Sequence, residues 1–331
     1  MTVDTTTIKR IDSIVSHLKQ KDCKVGFFVG AGISTNCGIP DFRSPETGLY
    51  ANLERLKLPY PEAVFDIEYF RKKPKAFYTL AEELFPGKFV PSRFHYMIKL
   101  FQDKGLLKRC YTQNIDTLER IAGVEDGKVL EAHGSFSKNH CIDCSAEMSQ
   151  EELLEFINKK EIPTCSECQG YVKPDIVFFG EALPGKLWEF WEDDVDDMDV
   201  VIVAGTSLAV YPFASLPSEV SSKTKRVLIN REVCGDFKDN PRKSDLVLQE
   251  DCDVIADLLC EKLGWLNDLN DLVESGKSKL STAKDDEVTE TAEELVKEIV
   301  NEVAPVLKDD AEEEFDKVDE LIEAVEKISI K

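Results

Sequence analysis

Long apolar runs are what this chain most lacks. Nothing in its 331 residues approaches the ~18 consecutive apolar positions of a membrane-spanning helix. Its first ten residues, MTVDTTTIKR, have neither the apolar stretch of a secretory signal nor the Arg/Ser-rich character of a transit peptide, so neither is expected. Thr2 stands where N-myristoylation needs glycine. Positive charge is also scarce: 41 Lys and Arg face 64 Asp and Glu, a net charge of −23. That balance argues against a polyanion binder, so neither nucleic acid nor membrane is an expected partner, and basic proteins are. Ten cysteines without a secretion signal point to a reducing compartment, where thiols are free, catalytic or metal-bound. The expected location is cytoplasmic, with the nucleus open.

A further absence concerns nucleotides. The apolar run Val25, Phe27, Phe28, Val29 reads as a strand buried on both faces, and GAGIS (30–34) follows it. Gly30 and Gly32 allow a tight turn and close approach to a pyrophosphate. The third glycine of the dinucleotide fingerprint is missing, because Thr35 stands there. No strand ending in an acid appears about 20 residues later to hold a ribose. An ordinary dehydrogenase is therefore disfavoured.

What is present is alternation. A helix over residues 8–20 leads into the first strand, and further strands are expected at 109–113, 128–132, 175–179, 199–205, 226–230 and 245–249. Helical stretches at 92–105, 116–122, 184–195 and 213–222 separate several of them. This predicts an α/β fold with a doubly wound, parallel, Rossmann-like sheet. Residues 46–90, mostly helical, and 135–172, rich in cysteine, interrupt the alternation and are expected to form a smaller lobe. The catalytic domain should span 8–265, and 266–331 should be an acidic tail, helical or disordered.

Cys141, Cys144, Cys165 and Cys168 follow the pattern C-x2-C-x20-C-x2-C, two knuckles suited to one tetrahedral Zn²⁺. With all four ligands cysteine, the metal should be structural. A redox dithiol or four unrelated thiols are the alternatives. His140 adjoins the first knuckle, but four thiolates already complete the shell.

Four more stretches occur in order: GIPDFRS (38–44), TQNID (112–116), EAHG (131–134) and GTSLAVYP (205–212). Together with GAGIS, the knuckles, KPDIVFFGE (173–181) and an Asn after a late strand, they resemble the sirtuins, the NAD-dependent protein lysine deacylases. The resemblance covers roughly residues 8–265 and is greatest to the fungal and animal cytosolic-to-nuclear group. It implies that NAD is consumed as a co-substrate, the lysine's acyl group ending on ADP-ribose as nicotinamide is released.

By that resemblance Ala31, Ile39, Asp41, Phe42, Ile115 and Asp116 line the nicotinamide pocket, with Asp116 on the carboxamide and Phe42 shielding the sugar. Ser34, Arg43 and Tyr50 lie near the phosphates and ribose. Gln113 and Asn114 position ribose hydroxyls or a water, Asn114 being counted as catalytic. His133 is the general base, a role that suits an imidazole titrating near operating pH. Gly205, Thr206 and Ser207 form a second strand-to-turn site for phosphate or ribose. Asn230 meets the adenosine ribose, flanked by Arg231 and Glu232. Cys252 meets adenine, although Glu250 stands where the resemblance expects glycine. Val177, Phe178, Phe179, Gly180 and Glu181 resemble the edge segment that pairs with an extended substrate peptide, the alternative being an ordinary buried strand. Acylated basic proteins such as histone tails are the expected substrates.

Mono-ADP-ribosyl transfer to protein from the same NAD site is the competing activity. A non-enzymatic zinc-knuckle interaction module is the competing class. Residues 285–326 hold 18 acidic and 3 basic residues, with two apolar stripes at helical spacing. The stripes are expected to fold onto the body or a second copy of the chain and modulate access to the cleft; a disordered solubilising tail is the alternative.

Overall fold

Five consecutive apolar positions with no polar face suit only a strand covered on both sides, and both VGFFV and VVIVA are buried at every position. In the computed structural model they are neighbouring central strands. The structure describes residues 4–40, 53, 58–84 and 89–278, with the backbone alone given at 81–84. Asp41, Phe42, Arg43 and Tyr50, and the acidic tail stripes beyond 278, lie outside the described residues.

Nine strands are present among the described residues: β1 Val25–Val29, β2 Leu107–Thr112, β3 Val129–Glu131, β4 Gly134–Cys141, β5 Glu147–Met148, β6 Val172–Ile176, β7 Val200–Ala204, β8 Lys225–Ile229 and β9 Leu246–Leu248. Six form a parallel sheet in the order β3-β2-β1-β7-β8-β9, and three an antiparallel sheet in the order β5-β4-β6. The parallel order reverses between β1 and β7, which is where such a sheet opens a binding crevice.

Helices cover both faces of the large sheet. Thr5–Leu18 turns Ile11, Ile14, Val15 and Leu18 inward, and its N-cap Asp4 accepts from the amides of Thr6 and Thr7. Arg93–Asp103 and Cys252–Leu263 join the same core around Phe27 and Val29. Gly185–Asp194 covers the other face, where Trp191 meets Phe28 and Tyr111 edge-on. A helix starting at 266 adds Leu269 and Val273 to the first core, so packing continues past Trp265 although strand signals stop there.

The smaller lobe has its own core, built around Phe65, Phe70, Phe77 and Phe178, with the last ring within 5.9 Å of the other three. One expectation needs correction here. The strand expected at 175–179 is β6, Val172–Ile176, and it belongs to the antiparallel sheet of this lobe rather than to the parallel sheet. Its chain leaves the sheet because Phe178 turns into the aromatic core and Gly180 adopts φ 93°. Phe179 makes only a single bridge, to Asp66.

Candidate functional site

Register decides which residues meet. Val29 aligns with Thr112 on one side and Ala204 on the other, so all three central strands end at one level. The next residues are GAGIS, QNID and GTS, brought side by side at the carboxyl edge. Thr112 aligns with Glu131, which places His133 two residues beyond the same edge. Ala204 aligns with Ile229, which places Asn230 there, and Ile229 with Leu248, which brings Cys252 close behind. Six separate strand ends thus supply one cleft of about 1110 Å³, enough for more than an ordinary small ligand.

The cleft is lined by Gly30, Ala31, Gly32, Gln113, Asn114, Ile115, His133, Gly205, Thr206, Ser207, Asn230, Arg231, Glu232 and Cys252, and on its outer side by Val177 to Glu181. Ser34 and Asp116 stand behind this surface, joined by a 2.7 Å bond from Ser34 Oγ to Asp116 Oδ2. Ile39 is half-buried and does not line it.

The glycines are needed first for packing of the two turns against each other. A Cβ on Gly32 would sit 2.7 Å from Gly205 Cα, and one on Gly205, at φ 60°, would sit 2.5 Å from the Ile33 nitrogen. The Gly32 amide donates to the Gly205 carbonyl at 2.8 Å. Gln113 ties the third loop in, donating through Nε2 to Thr206 Oγ1 at 2.8 Å. Asn114 donates to the Gly30 carbonyl and to Ser34 Oγ, both at 3.3 Å. Asn230 Nδ2 donates to the Glu232 carbonyl at 2.8 Å, and Arg231 pairs with Asp251 at 3.2 Å. Arg231 is exposed, so that pair contributes little to stability.

His133 is held for base chemistry. Its Nδ1 lies 3.0 Å from the Gln113 carbonyl, which can only accept, so the proton is assigned to Nδ1 and Nε2 is left as the basic lone pair. Nε2 is buried without a partner. Burial lowers the imidazole's pKa from the ordinary 6.5, opposed by the bond to Gln113, so the ring is neutral at neutral pH. Phe213 lies beside it, ring centroids 6.0 Å apart. The carbonyl of His133 also accepts from the Val177 amide at 2.7 Å, linking this residue to the outer wall.

That wall is fixed by a feature the sequence reading missed. Lys173, buried, pairs with Glu181 at 3.0 Å and donates to the Ile176 carbonyl at 2.7 Å. Glu181 in turn accepts from the Phe178 amide at 2.7 Å. The spacing of Lys and Glu on either side of IVFFG was the available signal. Phe179, Trp188 and Tyr211 are exposed aromatics at the cleft's rim. Phe178 lies beyond the end of β6 and its ring is buried in the aromatic core, so it is buried but not part of a strand.

The four knuckle sulfurs converge. Cys141–Cys168 and Cys144–Cys168 are 3.4 Å apart and Cys144–Cys165 is 3.6 Å. A disulfide would bring two sulfurs to ~2.05 Å, whereas a tetrahedron with Zn–S of ~2.3 Å has edges of ~3.8 Å. Amides of Asp143 and Gly170 point at Cys141 and Cys168 sulfurs, as thiolates require. The residues fit a structural zinc. His140 instead binds Asp175, at 2.7 Å from Nδ1, and stays out of the shell.

The Sir2 family model matches residues 30–212. The chain is similar to NAD-dependent protein deacetylase HST2 of Candida albicans, 62% identical over 79% of each chain. It is also similar to the hst2 deacetylase of Schizosaccharomyces pombe, 50% identical over 83% of this chain and 84% of that one. With NAD-dependent protein deacetylase sirtuin-2 of Danio rerio it shares 47% identity over 80% of this chain and 74% of the other. Cleft, knuckles and similarity agree, and the chain belongs to the Sir2 family, the sirtuins.

Proposed function

We propose that the chain is an NAD-dependent protein lysine deacetylase whose chemistry centres on His133. The observation that carries the reading is the locked imidazole: Nδ1 on the Gln113 carbonyl and a partnerless, neutral Nε2 in the cleft between the two glycine turns. NAD, when bound, supplies an ADP-ribosyl acceptor for the acyl group and nicotinamide as the leaving group. His133 Nε2 takes the proton of a ribose hydroxyl, and the Gln113 bond stabilises the imidazolium that results. Asp116 accepts from the nicotinamide carboxamide, with Ala31, Ile39 and Ile115 and, in the undescribed stretch, Asp41 and Phe42 around the ring. Ser34, Arg43, Tyr50, Gln113 and Asn114 serve the phosphates, ribose and water. Gly30, Gly32, Gly205, Thr206 and Ser207 serve the phosphates and ribose through main chain and hydroxyls. Asn230, Arg231, Glu232 and Cys252 hold the adenosine end.

Acyl-lysine proteins are the substrates. The segment 177–181, held by Lys173 and Glu181, pairs with an extended peptide, and the acidic body favours basic sequences such as histone tails. Neutral short acyl groups are preferred: members favouring acidic acyl groups carry Tyr-x-x-Arg after GLY, whereas here Tyr50 is followed by Ala51, Asn52 and Leu53. No described helix is long and apolar enough to cross a membrane, and the compartment is taken as cytoplasm or nucleus. Protein mono-ADP-ribosylation is disfavoured, because His133 and the peptide segment are both in place. Incubation with NAD and matched acetyl- and succinyl-lysine peptides tests the reading. Nicotinamide release should require a peptide and favour acetyl; release without peptide, or equal desuccinylation, contradicts it.

A further inference from the structure

Behind the cleft lies a buried polar cluster of which the chemistry above uses only Asp116. A ring nitrogen of His95 and a carboxylate oxygen each of Asp116 and Glu119 lie within 4.8 Å of one another. His95 and Glu119 have no exposed surface. His95 Nε2 and both Glu119 oxygens lack hydrogen-bond partners, and so does Glu131 Oε1 nearby. Unpaired buried groups of this kind are costly in a core unless they are part of a device.

Proton positions follow from the donors. His95 Nδ1 accepts from the Ser92 amide at 3.1 Å, and that amide can only donate, so the ring proton sits on Nε2. Burial raises the Asp116 pKa above its ordinary 3.8, and the bonds it accepts from Ser34 Oγ and, at 3.0 Å, from the Leu118 amide oppose that rise and favour the anion. Thr117, between the two acids, is held at φ 63°, a left-handed conformation unusual for a β-branched residue, which fixes their separation. Two carboxylates this close in a buried site do not both ionise.

We propose that Glu119 is a positioning residue for Asp116: buried within 4.8 Å of it and kept a neutral acid, it spares Asp116 a second buried negative charge and so keeps that carboxylate anionic and oriented toward the nicotinamide pocket. The inference rests on the reading of Asp116 as the carboxamide acceptor. Burial first, then Asp116 and more weakly Glu131, push the pKa of Glu119 up to about 8. The Thr112 hydroxyl favours the anion without reaching hydrogen-bond geometry. Arg120 is engaged by Glu131 and Asp126. Cys110, buried against the same helix, stays a thiol. His95, held down to about 3 by burial against a weaker pull from Asp253, supplies no charge at neutral pH. Above pH 8 Glu119 ionises, Asp116 gains a like charge beside it, and the nicotinamide pocket weakens.

The test is nicotinamide exchange into NAD and the KM for NAD, measured from pH 6 to 9.5 with an acetyl-lysine peptide on wild type, Glu119→Gln and Glu119→Ala. Wild type should lose exchange on an alkaline limb centred near pH 8. Glu119→Gln, which keeps the shape but cannot ionise, should stay within ~3-fold of wild type at pH 7 and lack that limb, whereas Glu119→Ala, which also lacks the limb but opens a cavity behind Asp116, should raise KM for NAD ~10-fold while kcat changes little. A wild-type profile flat to pH 9.5, an unchanged limb in Glu119→Gln, or damage in Glu119→Gln equal to that in Glu119→Ala overturns the inference. If the alanine variant does not fold, the glutamine profile decides alone. Asp116→Asn separates the two levels. Exchange undiminished in that variant sinks the reading of Asp116 itself; exchange lost there, with the Glu119→Gln limb intact, sinks only the role of Glu119.

Discussion

His133→Ala should separate the first half of the reaction from the second. The imidazole touches the rest of the site through one side-chain bond, Nδ1 to the Gln113 carbonyl, and through a loose contact with Phe213. Gln113 keeps its own bond to Thr206, and Asn114 its bonds to Gly30 and Ser34, so the loops that hold the nicotinamide end keep their shape. Loss of a positioned base costs typically 10² to 10⁴-fold, or about 2.7–5.5 kcal/mol of barrier. Deacetylation should fall by that factor while the NAD dissociation constant stays within ~3-fold, since the lost imidazole makes no uniform binding contact. The assay follows peptide deacetylation, nicotinamide exchange and NAD binding side by side on one preparation. The wild-type pH dependence is part of the same prediction. Burial lowers the His133 pKa, so kcat/KM should hold as pH falls through 6.5 and drop only below it, where the base is protonated. Deacetylation within ~3-fold of wild type in His133→Ala, or an acid limb centred above 6.5, would refute the reasoning.

Three further outcomes are expected. Cys165→Ser should release one zinc per chain and unfold the smaller lobe, because ~10–16 kcal/mol of metal binding is linked to folding, while Cys37→Ser keeps the metal; elemental analysis and thermal melting read both. Gly205→Ala should abolish NAD binding, its Cβ driven to 2.5 Å from the Ile33 nitrogen, whereas Gly105→Ala, at φ 73° with nothing within 4 Å, should cost only ~1–3 kcal/mol of backbone strain and bind NAD normally. Folded Glu119 keeps a proton between its ordinary 4.5 and about 8 that the unfolded chain has lost, so its contribution to stability falls as pH rises through that window, by up to ~1.4 kcal/mol per unit. The stability advantage of Glu119→Gln over wild type should therefore grow from pH 5 to pH 8 in denaturant titrations, and a constant or shrinking difference would count against a buried acid.

The central strands were legible because burial on both faces leaves no polar position, as in VGFFV and VVIVA. The knuckles were legible because zinc geometry fixes the spacing of Cys141, Cys144, Cys165 and Cys168. The segment 175–179 was misread for the same reason that β1 was read correctly: an apolar run does not reveal whether its residues face a sheet or an aromatic cluster. Phe178 lies among Phe65, Phe70 and Phe77, contacts 100 or more residues apart in sequence. The pair Lys173–Glu181 and the cluster of His95, Asp116 and Glu119 depend on such tertiary placement, and a lone charged residue in a helical pattern reads by default as solvated. The glycines of GAGIS were assigned to a ligand's approach, and the structure adds that the GTS turn already needs that space.

The destination of the acyl group distinguishes NAD-dependent deacetylation from every alternative reaction at this cleft. A peptide carrying isotopically labelled acetyl on lysine, incubated with NAD and the full chain, should yield nicotinamide, free lysine peptide and labelled O-acetyl-ADP-ribose in equal amounts by mass spectrometry. Labelled free acetate, or ADP-ribose attached to protein in place of the acetylated nucleotide, would contradict it.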